Sequence, residues 1–446
     1  MKNQKKMSSL AALVVLGIVT AILQVGPANA DPLSWPNGPW LQPGQEESLS
    51  AIRDYPQLVA TLENIVKSSQ GAAMLDYAQF LAKGSGRPVP YVKIGNGPRK
   101  MIVIAQQHGD EYITSNGMIS LIRALSSSAK EAKFIRSELT LYFVPRVNID
   151  GFDATPIGEP WRYNVDPDEC PPAPAPCTIP FYSRGRGYDV NRYHSFLIGH
   201  PLENPYIPGP DDLNPVPESL NVRALYDMAG GADEVEVVID LHGQATPLDA
   251  NRDMVTVSTL WPTATGTADE LGIRPEFDAA VLLSKRVVST ALNAYDKIAH
   301  ANPSRYVGGP EPGISRNAYA LLGSASVLME HRGVGQKAAG YMADISFRAV
   351  MAVIEALADG SLYTTDTARA EALLVAPDSA SLFWKCVVAR PYTLDNYNFC
   401  REKYGLKPVS TLPPFPFEPG KPGPGEGEAL DPETALQIIY ELDNPE

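Results

Sequence analysis

Short, almost purely apolar runs alternate along this chain with longer stretches in which apolar residues recur every three or four positions. The short runs 89–94, 101–105, 139–144, 235–240 and 325–330 predict strands, and runs without polar interruption suit strands buried on both faces. The longer stretches predict helices over 56–67, 113–125, 217–228, 277–297 and 340–357. Strand–helix alternation of this kind predicts an α/β fold. We expect a single large domain with a mixed, mostly parallel central sheet covered by helices on both faces. Pro-dense stretches at 166–180 and 200–217 interrupt the pattern and read as surface loops near strand ends. A Pro/Gly linker at 408–427 and a short acidic amphipathic segment at 432–442 mark residues 371–446 as a C-terminal extension.

Polar residues then appear where the apolar runs end. His108-Gly109-Asp110-Glu111 follows the run 101–105, and His242 follows 235–240. Glu330 closes the run 325–330, and Asp189-Val190-Asn191-Arg192 and Trp161-Arg162 fall between. In α/β sheets, ligands gather outside the carboxyl ends of the strands. His108 and Glu111, three apart, reach one side of a tight turn or a first helical turn, as two ligands of one ion require. In a chain with six His the pair is weak evidence by itself. A third ligand distant in sequence suits catalytic zinc, which keeps a position open for water. His242 equally suits a buried His bonded to backbone. A carboxylate ending a buried strand is costly unless paired or functional. Glu330 is therefore a candidate proton carrier, or a partner of Arg332. Asn191 and Arg192 carry an amide donor and a planar guanidinium suited to a carboxylate. Arg162 offers a second guanidinium for developing charge, although a lone Arg is ordinarily a solvated charge.

Composition narrows the partners. The chain has 51 acidic against 37 basic residues, a net charge of −14. That balance argues against nucleic acid and anionic membrane as partners. Lys2, Lys5 and Lys6 precede an apolar stretch, 10–25, and the small-x-small site Ala28-Asn29-Ala30. This is the layout of a cleaved signal peptide over residues 1–30, which implies a secreted or periplasmic protein. Four cysteines, Cys170, Cys177, Cys386 and Cys400, fit two disulfides in an exported chain. Three pairings are open; the short loops favour Cys170–Cys177 and Cys386–Cys400.

Taken in order, His-Gly-Asp-Glu, Asn-Ile-Asp-Gly, Trp-Arg, Asp-Val-Asn-Arg, Leu-His-Gly and Glu-His-Arg-Gly resemble the zinc carboxypeptidase family typified by pancreatic carboxypeptidase A. The resemblance spans about residues 55 to 358 and places a catalytic domain over 31–370. It implies one Zn2+ per chain held by His108, Glu111 and His242, although Mn or Co suits the same donors. It also implies that Glu330 takes a proton from water at the zinc and passes it to the leaving amine. Arg162 would polarise the scissile carbonyl, Asn191 and Arg192 would grip the substrate's C-terminal carboxylate, and Asp189 would orient His108. Tyr306 is the candidate for the family's mobile Tyr, and Tyr319 for an aromatic on the pocket wall. The implied activity is an exported metallocarboxypeptidase, a monomer acting on peptides with a free C-terminus, with no nucleic acid partner and no membrane after signal cleavage. Arg316, where the family often has an acid, would attract an acidic side chain unless it faces solvent or pairs with Glu311. An amidase or deacylase acting on cell-wall peptides or N-acyl amino acids with the same zinc site is the alternative activity. A binding protein without catalysis would lack a ligand or the Glu, and neither is missing.

Overall fold

A computed structural model describes residues 52–153, 160, 162–166, 182–183, 187–194, 216–244, 255–332, 339–375, 386–387, 390–403 and 408–412. The expected signal segment, Trp161, Cys170, Cys177, most of the loop 200–217 and the segment 432–442 lie outside these residues.

Strands β1 (Ala73–Leu81), β2 (Pro88–Ile94), β3 (Arg99–Ala105), β4 (Leu139–Val144), β5 (Tyr182–Ser183), β6 (Gly187–Tyr188), β7 (Val235–Gln244), β8 (Val257–Leu260), β9 (Pro303–Arg305) and β10 (Ala325–Arg332) follow in chain order. The helices are α1 (Tyr55–Ser68), α2 (Ile113–Leu125), α3 (Lys130–Glu138), α4 (Ile149–Phe152), α5 (Pro217–Met228), α6 (Thr265–Leu271), α7 (Arg274–Tyr295), α8 (Ser315–Leu321), α9 (Ala339–Asp359), α10 (Ala368–Glu371) and α11 (Leu394–Lys403). Eight strands form one sheet in the order β1-β2-β4-β3-β7-β10-β8-β9. The central four, β4, β3, β7 and β10, run parallel. β8 and β9 also pair in parallel, while β1–β2, β2–β4 and β10–β8 pair antiparallel. The sheet is mixed and mostly parallel, as expected from the sequence.

The apolar run 101–105 is wholly buried because both faces of β3 are covered. Met101 and Val103 pack with Leu62, Met118, Val287 and Val350 on one side. Ile102 and Ile104 pack with Val222 and Leu225 on the other. Helix α1 starts where Asp54 accepts from the Gln57 backbone and the Gln57 side chain accepts from the Asp54 backbone, with Pro56 in its first turn. That reciprocal pair satisfies two backbone donors that helix geometry leaves open. No helix among the described residues is long and apolar enough to cross a membrane.

Two strands extend further than their apolar runs suggest. β7 continues through His242 to Gln244, and β10 through Glu330 to Arg332. Alternation along a strand then fixes the chemistry: Asp240 and His242 share a face with Val238. Glu330 is the register partner of His242, so it comes to the same face beside it.

Candidate active site

At the carboxyl end of β3 the backbone bends at Gln106, whose φ of 54° is left-handed and unusual for a side-chain-bearing residue. Its amide nitrogen donates to the Gly109 carbonyl at 2.8 Å, and its Oε1 accepts from Ser115 and Arg146. The bend is thereby over-determined by buried bonds. It feeds the tight turn His108–Glu111, closed by the Glu111 N–H on the His108 carbonyl at 3.3 Å. Gly109 is required there: a Cβ would lie 2.1 Å from the Gly151 carbonyl carbon.

This turn and β7 bring His108, Glu111 and His242 together, with one ligand atom of each within 4.8 Å of the others. Glu111 Oε1 lies 2.6 Å from His108 Nδ1, Oε2 lies 2.7 Å from His242 Nδ1, and the two Nδ1 atoms are 3.2 Å apart. The far nitrogen of each ring meets a carboxylate. His108 Nε2 is 2.9 Å from Asp189, and His242 Nε2 is 2.9 Å from Asp240. Nε2–H groups donated to those carboxylates leave two Nδ1 lone pairs and a carboxylate converging on one point. Such a convergence is stable only around positive charge. Ligands at zinc distances in a tetrahedral shell stand about 3.3 Å apart, close to the spacing of the two rings. The donor set therefore fits zinc.

The same carboxylates make both rings more basic, and so better donors to a cation. Burial works against charge on His242, yet Asp240 and Glu111 outweigh it and raise its pKa well above the ordinary value. For His108, burial and Arg162 oppose charge, while Glu111 and Asp189 prevail and raise its pKa. Glu111 is buried, but the two imidazoles hold its carboxyl far below the usual carboxylate range.

Arg162 is pinned beside this cluster. Its Nε and Nη2 donate to Asp189 at 3.1 and 3.0 Å, and Nη1 stands 3.5 Å from Glu111. Its backbone is fixed as well, since the Gly109 N–H and the Asn148 amide both donate to its carbonyl. Asn191 is buried, with Nδ2 3.1 Å from His242 Nε2 and its side-chain oxygen accepting from the Ser315 N–H at 2.9 Å. Arg192 donates to the Asn191 carbonyl at 3.0 Å and stands 4.0 Å from Asp189.

Glu330 is 6% exposed, and its Oε2 is buried without a hydrogen-bond partner. Burial pushes its carboxyl up to about 8; His242, His108 and Arg162 pull it down, while Glu111 adds to the rise. Tyr306 lies in its field: the charge of Glu330, then burial, raises the phenol.

Three expectations change. Arg316 is fully buried, so it does not face solvent. Tyr319 is a core residue, 1% exposed, packed at a tilt against Tyr226 with its hydroxyl 3.2 Å from His194. His242 lies within a strand and does not follow one. Asp240 was missed as a site residue. It accepts from Gln107 at 2.7 Å and from the Ser315 hydroxyl besides contacting His242. The signal was present as Asp-x-His, which alternation along one strand puts on a single face.

Residues 49–264 match the family model described as zinc carboxypeptidase. That range holds both His ligands, Glu111, Arg162 and the Asp189–Arg192 segment, and ends before Glu330. No curated protein matches the sequence. Among solved structures, the chain is similar to a metallo-carboxypeptidase from Burkholderia cenocepacia, 16% identical over 70% of each chain, with a TM-score of 0.45. It is also similar to bovine thrombin-activatable fibrinolysis inhibitor, solved with a tick carboxypeptidase inhibitor. That pair is 15% identical over 69% of this chain and 98% of the other, with a TM-score of 0.49. Carboxypeptidase A from Helicoverpa armigera is 16% identical over 72% and 74%, with a TM-score of 0.46. By the family match, residues 49–264 form a zinc carboxypeptidase domain.

Proposed function

We propose that this protein removes single residues from the free C-terminus of peptides, with one Zn2+ held by His108, Glu111 and His242 and with Glu330 carrying the proton. The observation that carries the reading is a buried, unpartnered Glu330 carboxylate on the strand next to three converging donors. When bound, zinc would polarise the scissile carbonyl and make water a better nucleophile. Glu330 takes the proton from the attacking water and returns it to the leaving amine, a task suited to a carboxyl whose pKa is raised toward neutrality. Arg162, held by Asp189, supplies positive charge beside the reacting carbonyl. Asn191 and Arg192 hold the terminal carboxylate, and Tyr306 closes over the substrate beside Glu330. Asp189 and Asp240 keep the two imidazoles oriented.

The protein we envisage is exported. Residues 1–30 carry the sequence of a cleaved signal, and the Cys386–Cys400 disulfide suits an oxidising compartment. The catalytic domain is assigned to residues 31–370, followed by the extension 371–446.

The test compares one peptide with a free C-terminus and its C-terminal amide. The free peptide should lose its last residue and the amide should stay intact. Arg192→Ala should slow the free peptide by roughly tenfold to a hundredfold, the cost of a lost charged hydrogen bond. Cleavage of both peptides alike, or release of an acyl group instead of a C-terminal residue, would move the reading to an amidase or deacylase.

A further inference from the structure

Arg316 is a buried cation that the proposed catalysis does not use. Its side chain is fully enclosed, yet only Nη2 is bonded, to the Gly309 carbonyl at 2.5 Å and to the Thr263 hydroxyl at 3.3 Å. Nε is buried with no partner. Among the described residues no carboxylate forms an ion pair with it. The nearest candidate, Glu311, points its own carboxylate at Gly309 and leaves Oε2 buried and unbonded. A guanidinium sequestered without an anion is costly, and burial pushes Arg316 down to about 10.

The surroundings say what the charge is for. After burial, the groups that act on Arg316 are Tyr306, Glu311, Arg192 and Glu330. Geometry places it beside the proposed site: the neighbouring Ser315 N–H donates to the Asn191 side chain at 2.9 Å, and Nη1 lies against Gly308, two residues past Tyr306, so the guanidinium borders the space where a substrate's last residue would lie. Gly308 flanks it closely: a Cβ there would come within 2.5 Å of Nη1. The Gly308 backbone is not left-handed, so what a Cβ there would meet is the close approach of Arg316 and Leu260.

We propose that Arg316 is a specificity-determining residue whose guanidinium binds the side-chain carboxylate of a C-terminal Glu or Asp, making peptides with an acidic last residue the preferred substrates. This rests on the carboxypeptidase reading above. The substrate brings the anion that the fold withholds, and its neutral isostere leaves the buried charge unpaired.

The experiment uses the zinc-loaded full chain and four peptides that differ only in the last residue, Glu, Gln, Leu or Lys. Glu should exceed Gln in kcat/KM by roughly ten- to hundredfold, the range of a hydrogen bond to a charged group. In Arg316→Met that ratio should fall to about one. A second readout is binding alone: free L-glutamate should raise the Tm of wild type more than L-glutamine does, and Arg316→Met should erase the difference. Met in place of an unpaired buried cation should not lower the Tm. Should the Met variant fail to fold, Arg316→Lys, which keeps the charge, should retain a preference for Glu over Gln. Preference for Leu or Lys over Glu in wild type overturns the proposal and leaves the carboxypeptidase standing. A lower Tm in Arg316→Met with an unchanged Glu-to-Gln ratio also overturns it, by assigning Arg316 to structure. If no peptide is shortened whatever its last residue, the carboxypeptidase reading fails and this proposal with it.

Discussion

Burial raises the Glu330 carboxyl to about 8 from its ordinary value of 4.5, with His242 opposing and Glu111 reinforcing the shift. A general base must be ionised, so activity is lost as pH falls through the pKa of that group. The acid limb of kcat/KM should therefore lie above the ordinary Glu range. A cation among the ligands favours ionised Glu330 and sets the limb below about 8 in the loaded enzyme. A pH–rate profile of the zinc-loaded enzyme checks this; an acid limb at or below about 4.5 would remove the argument for Glu330. Asp240 makes a second residue-scale prediction. It fixes His242 through Nε2, and loss of such outer partners weakens metal binding about 10- to 100-fold. Asp240→Asn should show that loss in competition with a chelator, and an unchanged affinity would demote Asp240 to core packing.

The elements show why some of this could be read from the sequence. β3, β4 and β10 declare themselves as apolar runs because neighbours cover both faces. The bounds of α2 and α5 match their apolar periodicity. β1 was missed because it is an edge strand whose exposed Met74, Tyr77 and Leu81 blur the alternation. β8 and β9 are too short to show a period. Ending β7 at residue 240 separated His242 from its strand, and with it the clue that Asp240 shares its face. The short helix α8 hid two orientations: Tyr319 turns into the core and Arg316 toward the backbone of Gly308 and Gly309. The His108–Glu111 turn carries the prediction at this scale. Gly109→Ala would place a Cβ 2.1 Å from Gly151, forcing the turn away from its support at a cost of about 1–3 kcal/mol. The variant should melt lower and retain less zinc after dialysis; a full zinc content would show that the turn is not held by that contact.

For the whole molecule, the sheet assembles a site from residues more than two hundred positions apart. His108 leaves β3, His242 lies on β7 and Glu330 on β10, three adjacent parallel strands. Sequence order alone could not give that adjacency, because it follows from how β3 and β10 flank β7. Tyr306 comes from the far flank, just past β9, and bonds back to Thr259 at 2.9 Å. The Cys386–Cys400 pair expected from loop length is present and anchors a small separate cluster with Val387, Tyr392 and Tyr397. The central claim is that these strands build a metal-dependent hydrolase of C-terminal peptide bonds driven by Glu330. The most direct measurement incubates the zinc-loaded protein with a mixture of unblocked peptides and reads the products by mass spectrometry, beside Glu330→Gln. The account predicts loss of single C-terminal residues by wild type. It predicts a rate lower by about 10²–10⁴ in the variant, with equal zinc content in both. Intact peptides from a wild-type protein that holds its zinc, or equal trimming by the variant, would contradict it.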